Sequence, residues 1–261
     1  MRRVLSFAVA LIALSGAADV LGEFHFAGQL GYDGRVPVEL TFAVNGENVV
    51  VGEITYTRAA NRPITLVGFT DELMNHFRLC EYLPDGTISG RLEFNLDLSD
   101  NGGEDYPSLK DGVWTNPRTG RQLDINVEDD VYLGDFSRFY DYATEDQVPG
   151  VYSYSAFPGA KGKKKGGNAV FESRGDHTLR FTITNNERTL AVANSLITRP
   201  VKLTPNTYNS FYYPDMNVAG YGLEAYFYKK FVVIRSLIPP SGKCGFGGNG
   251  HLEGVYFKQK K

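Results

Sequence analysis

From Val36 to Val44 every second residue is apolar: Val36, Val38, Leu40, Phe42 and Val44, with mostly polar or small residues between them. Side chains of an extended chain point alternately to opposite faces, so this period of two predicts a strand with one face in a core. Ile88, Leu92, Phe94, Leu96 and Leu98 repeat the pattern around Gly90, and shorter stretches carry it at Leu123, Ile125 and Val127, at Leu179, Phe181 and Ile183, and at Leu223, Ala225 and Phe227. Turn formers separate these runs: Tyr32-Asp33-Gly34, Asn45-Gly46, Pro84-Asp85-Gly86, Asn101-Gly102-Gly103, Thr119-Gly120 and Asn185-Asn186. Short strands punctuated in this way predict an antiparallel barrel or sandwich. Helical spacing occurs only at Phe136, Phe139, Tyr140 and Ala143, within a stretch from Phe136 to Thr144 that reads equally as a linker turn.

A repeat runs through the first half. Gly28-Gln29-Leu30-Gly31-Tyr32 leads through a turn to Val36-Pro37-Val38-Glu39-Leu40, Gly52-Glu53-Ile54-Thr55-Tyr56 leads to Pro63-Ile64-Thr65-Leu66, and Gly112-Val113-Trp114-Thr115-Asn116 leads to Gln122-Leu123-Asp124-Ile125. Each copy reads as glycine, strand, polar turn, strand. Repeated hairpins build an up-and-down meander, and about eight strands between Phe24 and Val131 suffice to close a small barrel. The expectation is an all-β chain: an antiparallel meander barrel over 19–133, a linker over 134–149 rich in Asp and Glu, and a second small barrel or sandwich over 150–261. A single two-sheet sandwich is the competing architecture.

The 261 residues carry 27 Lys and Arg against 30 Asp and Glu, with 42% hydrophobic residues, which excludes a disordered chain and a strongly basic nucleic-acid binder. Residues 1–18 read as a secretory signal peptide: Arg2 and Arg3, an apolar run from Val4 to Leu14, then Ser15, Gly16, Ala17 and Ala18. That run is too short for a transmembrane segment, which takes about 20 residues, and no later run reaches the length. Export would place Cys80 and Cys244 where thiols oxidise, leaving a disulfide and two separate buried thiols both open.

Motifs for chemistry are sparse. His25, His76, His177 and His251 lie far apart, with neither a His-x-His pair nor a His-Glu-x-x-His, so no metal site is expected. No Gly-x-Ser-x-Gly or Ser-x-x-Lys offers an acyl-transfer nucleophile. Gly245-Phe246-Gly247-Gly248-Asn249-Gly250 has dinucleotide-loop spacing, but Gly254-Val255-Tyr256-Phe257 behind it reads as a strand where that motif needs a helix, so it is a turn. Asp97, Asp100, Asn101, Glu104 and Asp105 gather calcium-type ligands without EF-hand spacing and read as a solvated hairpin loop. Arg174-Gly175-Asp176 spells an adhesion tripeptide and reads as a turn between strands. No catalytic residue and no cofactor is assigned.

Two features invite a ligand. Tyr208, Tyr212, Tyr213, Tyr226 and Tyr228 belong to a dense aromatic cluster that could stack on sugars or anchor a protein partner, combining apolar area with a polar tip. Lys163 and Lys164 sit in the glycine-flanked cationic run Lys161 to Lys165, which raises local potential for an anionic partner.

The segments Val-Gly-Glu-Ile-Thr-Tyr at 51–56, Arg-Pro-Ile-Thr-Leu at 62–66 and Gly-Val-Trp-Thr-Asn-Pro at 112–117 resemble secreted bacterial β-barrel proteins of unknown function. Cys244-Gly245-Phe246-Gly247 followed by Gly254-Val255-Tyr256 resembles the ends of small periplasmic proteins, some of them lysozyme inhibitors. These resemblances imply a fold and carry no functional residue. The expected function is an exported, periplasmic or extracellular, non-enzymatic binding protein for a glycan or a protein, with no nucleic-acid partner. The alternatives are an inhibitor of a secreted hydrolase such as lysozyme, and a carbohydrate-active hydrolase whose carboxylate pair is assembled by the fold.

Overall fold

The computed structural model describes residues 20–31, 36–45, 48–57, 62–97, 108–129, 139, 141–156, 165–185, 194–197, 200–203, 211–213, 223–236 and 254–259. The first eight strands are β1 (Val20–Leu30), β2 (Val36–Asn45), β3 (Val49–Tyr56), β4 (Ile64–Thr70), β5 (His76–Tyr82), β6 (Ile88–Asp97), β7 (Ser108–Thr115) and β8 (Gln122–Asp129). Each pairs antiparallel with its sequence neighbour, and β8 returns to β1, so the sheet closes into the expected eight-stranded meander barrel. Closure removes the open sheet edges that would otherwise pair with other chains.

The predicted alternation is the inward face. Val38, Leu40, Phe42 and Val44 of β2 and Leu92, Phe94 and Leu96 of β6 share one core with Phe77 and Leu79 of β5. One end of the barrel is filled by aromatic rings: Phe77 stacks on Phe94 with centroids 5.1 Å apart, and Phe42 contacts Phe24, Phe26, Phe77 and Phe94. Burying such side chains gives about 1.5–3 kcal/mol each. Glycines in the wall let adjacent strands approach closely. A Cβ on Gly52 would overlap the Thr41 carbonyl and one on Gly68 the Arg78 carbonyl, so neighbouring strands come closer here than any side chain permits.

The remaining strands are β9 (Gly150–Ala156), β10 (Lys165–Gly175), β11 (Thr178–Asn185), β12 (Asn194–Ile197), β13 (Val201–Lys202), β14 (Phe211–Tyr213), β15 (Leu223–Phe227), β16 (Phe231–Ser236) and β17 (Gly254–Lys258). They form one curled antiparallel sheet in the order β12-β11-β10-β9-β17-β16-β15-β14, with β13 also on β11. The β17 to β9 pairing repeats the β8 to β1 closure of the first barrel, and β13 and β14, toward the two ends of the sheet, come into contact. Inside the curl lie Tyr152, Phe171, Phe181, Phe227, Ile234 and Tyr256.

The segment before β9 belongs to this second core. Ala143 and Val148 are buried in it, the Ala143 amide donates to the Phe227 carbonyl, and a short 3-10 turn spans Glu145–Gln147. Lys258 ties the segment down by donating to the Gln147 carbonyl. Of the stretch Phe136 to Thr144 with helical spacing, residues 136–138 and 140 lie outside the described residues; Tyr142 within it is bridged to Tyr228.

The two sheets bury a third apolar cluster between them. The outward faces of β2 to β6 contribute Ala43, Val49, Val51, Val67, Cys80, Tyr82 and Ile88, and the second sheet contributes Tyr226, Tyr228, Phe231, Val233, Val255 and Phe257. This explains the continuous apolar run Phe231-Val232-Val233-Ile234: both faces of β16 are covered.

Candidate functional site

Where the join between the sheets opens to solvent, it leaves a cavity of about 80 Å³ lined by Val51, Gly52, Glu53, Thr65, Phe139, Asp141, Tyr228, Lys230 and Phe231. Three stretches of chain build it. From the barrel come Glu53 on β3 and Thr65 on β4, an in-register cross-strand pair whose side chains point outward because Ile54 and Leu66 beside them point into the barrel core. From the intervening segment come Phe139 and Asp141; from the β15–β16 turn come Tyr228, Lys230 and Phe231. Val51, Phe139, Tyr228 and Phe231 are buried and form the floor, while Asp141 and Lys230 are exposed and stand at the rim. Asp141 is held on both sides of its chain: its carbonyl accepts from the Lys229 amide at 2.9 Å and its carboxylate pairs with the Lys229 ammonium. The result is a polar rim of both charge signs above an aromatic floor.

The second cluster lies inside the barrel, at the end away from the stacked phenylalanines. Glu81 of β5 is in phase with Phe77 and Leu79, so its side chain points inward and is 2% exposed. Three groups donate to it: the Tyr56 hydroxyl and the Trp114 indole N–H, the latter at 2.7 Å, to Oε1, and the Ser89 hydroxyl to Oε2 at 3.0 Å. Gly90, in register with Glu81, keeps the space open, since a Cβ there would overlap both the Trp114 indole nitrogen and the Glu81 carboxylate. Burial pushes the Glu81 carboxyl above its usual range despite these donors, and burial together with the adjacent Glu81 raises the Tyr56 phenol well above its own. All three donors are hydroxyl or indole groups. Glu81 is the only fully buried acid among the described residues, so the cluster is a single carboxyl and not a carboxylate pair.

The predicted ligand residues are dispersed. Tyr226 and Tyr228, expected to face a ligand, are 3% and 2% exposed and are turned to the barrel. Tyr228 stacks on Phe231 at 4.5 Å and contributes to the cleft floor. Tyr226 donates to Glu224 Oε2 at 2.8 Å beneath the Arg235 guanidinium, 5.7 Å from its ring centre. The physical reason is that β15 has two covered faces, so Tyr226 on it and Tyr228 just past its end close the join between the sheets. Tyr212 and Tyr213 lie on β14, with their backbones in register with Glu224 and Leu223. Tyr208, Lys163 and Lys164 lie outside the described residues, as do Cys244 and Gly245 to Gly250. Cys80 is buried in the join.

The described histidines remain separate, and His251 lies outside the described residues. His25 bonds Thr41 Oγ1 at 2.8 Å, His76 contacts Asn95 and Glu93 on the outer barrel wall, and His177 contacts Glu145. Among the described residues no three His, Cys, Asp or Glu side chains gather as metal ligands. Asp97 pairs with Lys110, and residues 98–107 of the acidic loop lie outside the described residues.

Two features escaped the sequence reading. Glu81 carried a usable signal, because an acid occupying the apolar phase of Phe77-Arg78-Leu79-Cys80-Glu81 must point into the core. The cleft carried none, since its residues come from three distant stretches. No known protein family matches the chain, and no characterised protein or solved structure matches it either.

Proposed function

We propose that the chain is an exported, non-enzymatic binding protein, that the cleft between the barrel and the second sheet is its ligand site, and that its ligand is a glycan. The observation that carries the reading is the rim of Glu53, Thr65, Asp141 and Lys230 above Val51, Phe139, Tyr228 and Phe231. Sugars present hydroxyls at their edges and C–H groups on their faces, and a site of this composition meets both: charged side chains accept from and donate to hydroxyls while apolar side chains take the ring face. Binding sites also favour junctions between packed units, where each supplies one wall.

The test is a glycan array probed with the intact mature protein, followed by titration of any hit against Lys230→Ala and Glu53→Gln. Saturable binding weakened at least about tenfold by either substitution supports the reading. Failure to bind any glycan, or binding indifferent to both substitutions, overturns it. Export is tested by fractionating cells that express the full chain: retention of an uncleaved protein in the cytosol refutes that part.

A further inference from the structure

The charges around the cleft are unevenly matched. Lys229 and Lys230 stand at the tip of the turn between β15 and β16, which is closed by the Tyr228 amide donating to the Phe231 carbonyl at 2.9 Å. The Lys229 ammonium is paired with the Asp141 carboxylate, so these two charges cancel. Lys230 is anchored through its backbone, its carbonyl accepting from the Lys258 amide at 2.8 Å, while its ammonium makes no hydrogen bond or ion pair with any described residue. It is the unmatched cation of the lining, set on the second-sheet wall beside the buried rings of Tyr228 and Phe231. The remaining acid of the lining, Glu53, is half-buried on the barrel wall with Thr65 as its cross-strand neighbour. The cleft is therefore polarised, with a cation on the wall from the second sheet, an acid and a hydroxyl on the wall from the barrel, and apolar side chains below.

We infer, building on the glycan reading of this cleft, that its ligand is an acidic sugar: a uronate whose carboxylate is held by Lys230 and whose ring hydroxyls face Glu53 and Thr65. A uronate carries its carboxylate on one edge of the ring, hydroxyls on the opposite edge and C–H groups on its face, which is the polarity of the cleft. The Lys230 ammonium donates to the carboxylate in charge-assisted hydrogen bonds, roughly twice as strong as those between neutral groups. Glu53 accepts from hydroxyls and repels a carboxylate, so the ring is admitted in one direction only. The buried floor lowers the local dielectric and strengthens the ammonium–carboxylate pair relative to the same pair in open water. The anchored turn holds the base of Lys230 in place before the ligand arrives, which lowers the ordering cost of binding.

The experiment titrates the intact protein calorimetrically with glucuronate and galacturonate and with their uncharged amides, which keep the shape of each sugar and remove its charge. The parent is expected to bind at least one acid about tenfold or more tightly than its amide, and the ratio should shrink as salt is raised. Lys230→Gln, a change at an exposed side chain, is expected to bring the ratio close to one while the amide still binds. Glu53→Gln is expected to weaken acid and amide alike without lowering the ratio. Equal binding of acid and amide by the parent, no binding of either acid, or a ratio that survives Lys230→Gln overturns the inference. Array hits that are all neutral sugars also overturn it and leave the glycan reading standing, whereas an array without any hit overturns both.

Discussion

The indole N–H of Trp114 on β7 reaches Oε1 of Glu81 on β5 at 2.7 Å, passing over the intervening strand β6. Tyr56 of β3 reaches the same oxygen over β4, and Ser89 approaches from the start of β6. One carboxyl thus ties four strands of the barrel together at the end where no stacked rings fill it. A buried acid is costly alone, and its half-buried donors lose their acceptor without it, so the group acts as a unit.

Removing the acid orphans all the donors. Glu81→Leu is expected to cost about 1–3 kcal/mol in urea unfolding, because Tyr56, Ser89 and Trp114, all half-buried, lose their acceptor together. Trp114→Phe, which removes one donor and keeps an aromatic ring, is expected to cost about 1–2 kcal/mol. Equal stability of Glu81→Leu and the parent would show that the network contributes nothing.

The same carboxyl makes stability depend on pH. Its folded pKa lies above the usual value of 4.5, so the folded chain holds this proton more tightly than the unfolded chain. Its stabilising contribution is therefore complete below the unfolded pKa and is lost as pH rises through the folded pKa. Unfolding free energy measured upward from about pH 4 should carry a declining component that is absent in Glu81→Gln. Identical pH profiles for the two proteins would refute this.

Glycines in the barrel wall and in its turns are of two kinds. Gly68 has an ordinary strand position, but a Cβ would overlap the Arg78 carbonyl, so Gly68→Ala must push β4 from β5 and is expected to cost at the upper end of about 1–3 kcal/mol. Gly120 has open space around it and a φ of 72°, so Gly120→Ala meets only the left-handed backbone penalty of about 1–2 kcal/mol. Chemical denaturation of the two variants should rank them in that order.

The join between the sheets should behave as shared core. Tyr82 of β5 packs on Phe257 of β17 with ring centres 5.1 Å apart. Phe257→Ala is expected to cost about 3–5 kcal/mol and to split calorimetric unfolding into two transitions, as the barrel and the second sheet lose their common cluster. A single transition at an unchanged temperature would mean that the cluster does not couple them.

The sequence by itself determined the strands and the barrel. Alternation in Val36 to Val44 and Ile88 to Leu98 is a local property of an extended chain, and the turn glycines and repeated hairpins require only neighbours in sequence, so the meander was legible, and its closure by pairing β8 with β1 followed from the strand count. Which surface covers the outside of that barrel is a matter of contacts between residues more than a hundred positions apart. Period two distinguishes the two faces of a strand, but where both faces are apolar, as in Phe231 to Ile234, it does not say which partner each face meets. Only the tertiary structure therefore turned Tyr226 and Tyr228 toward the barrel, drew Ala143 and Val148 into the second core, and set Glu53, Asp141 and Lys230 around one cleft.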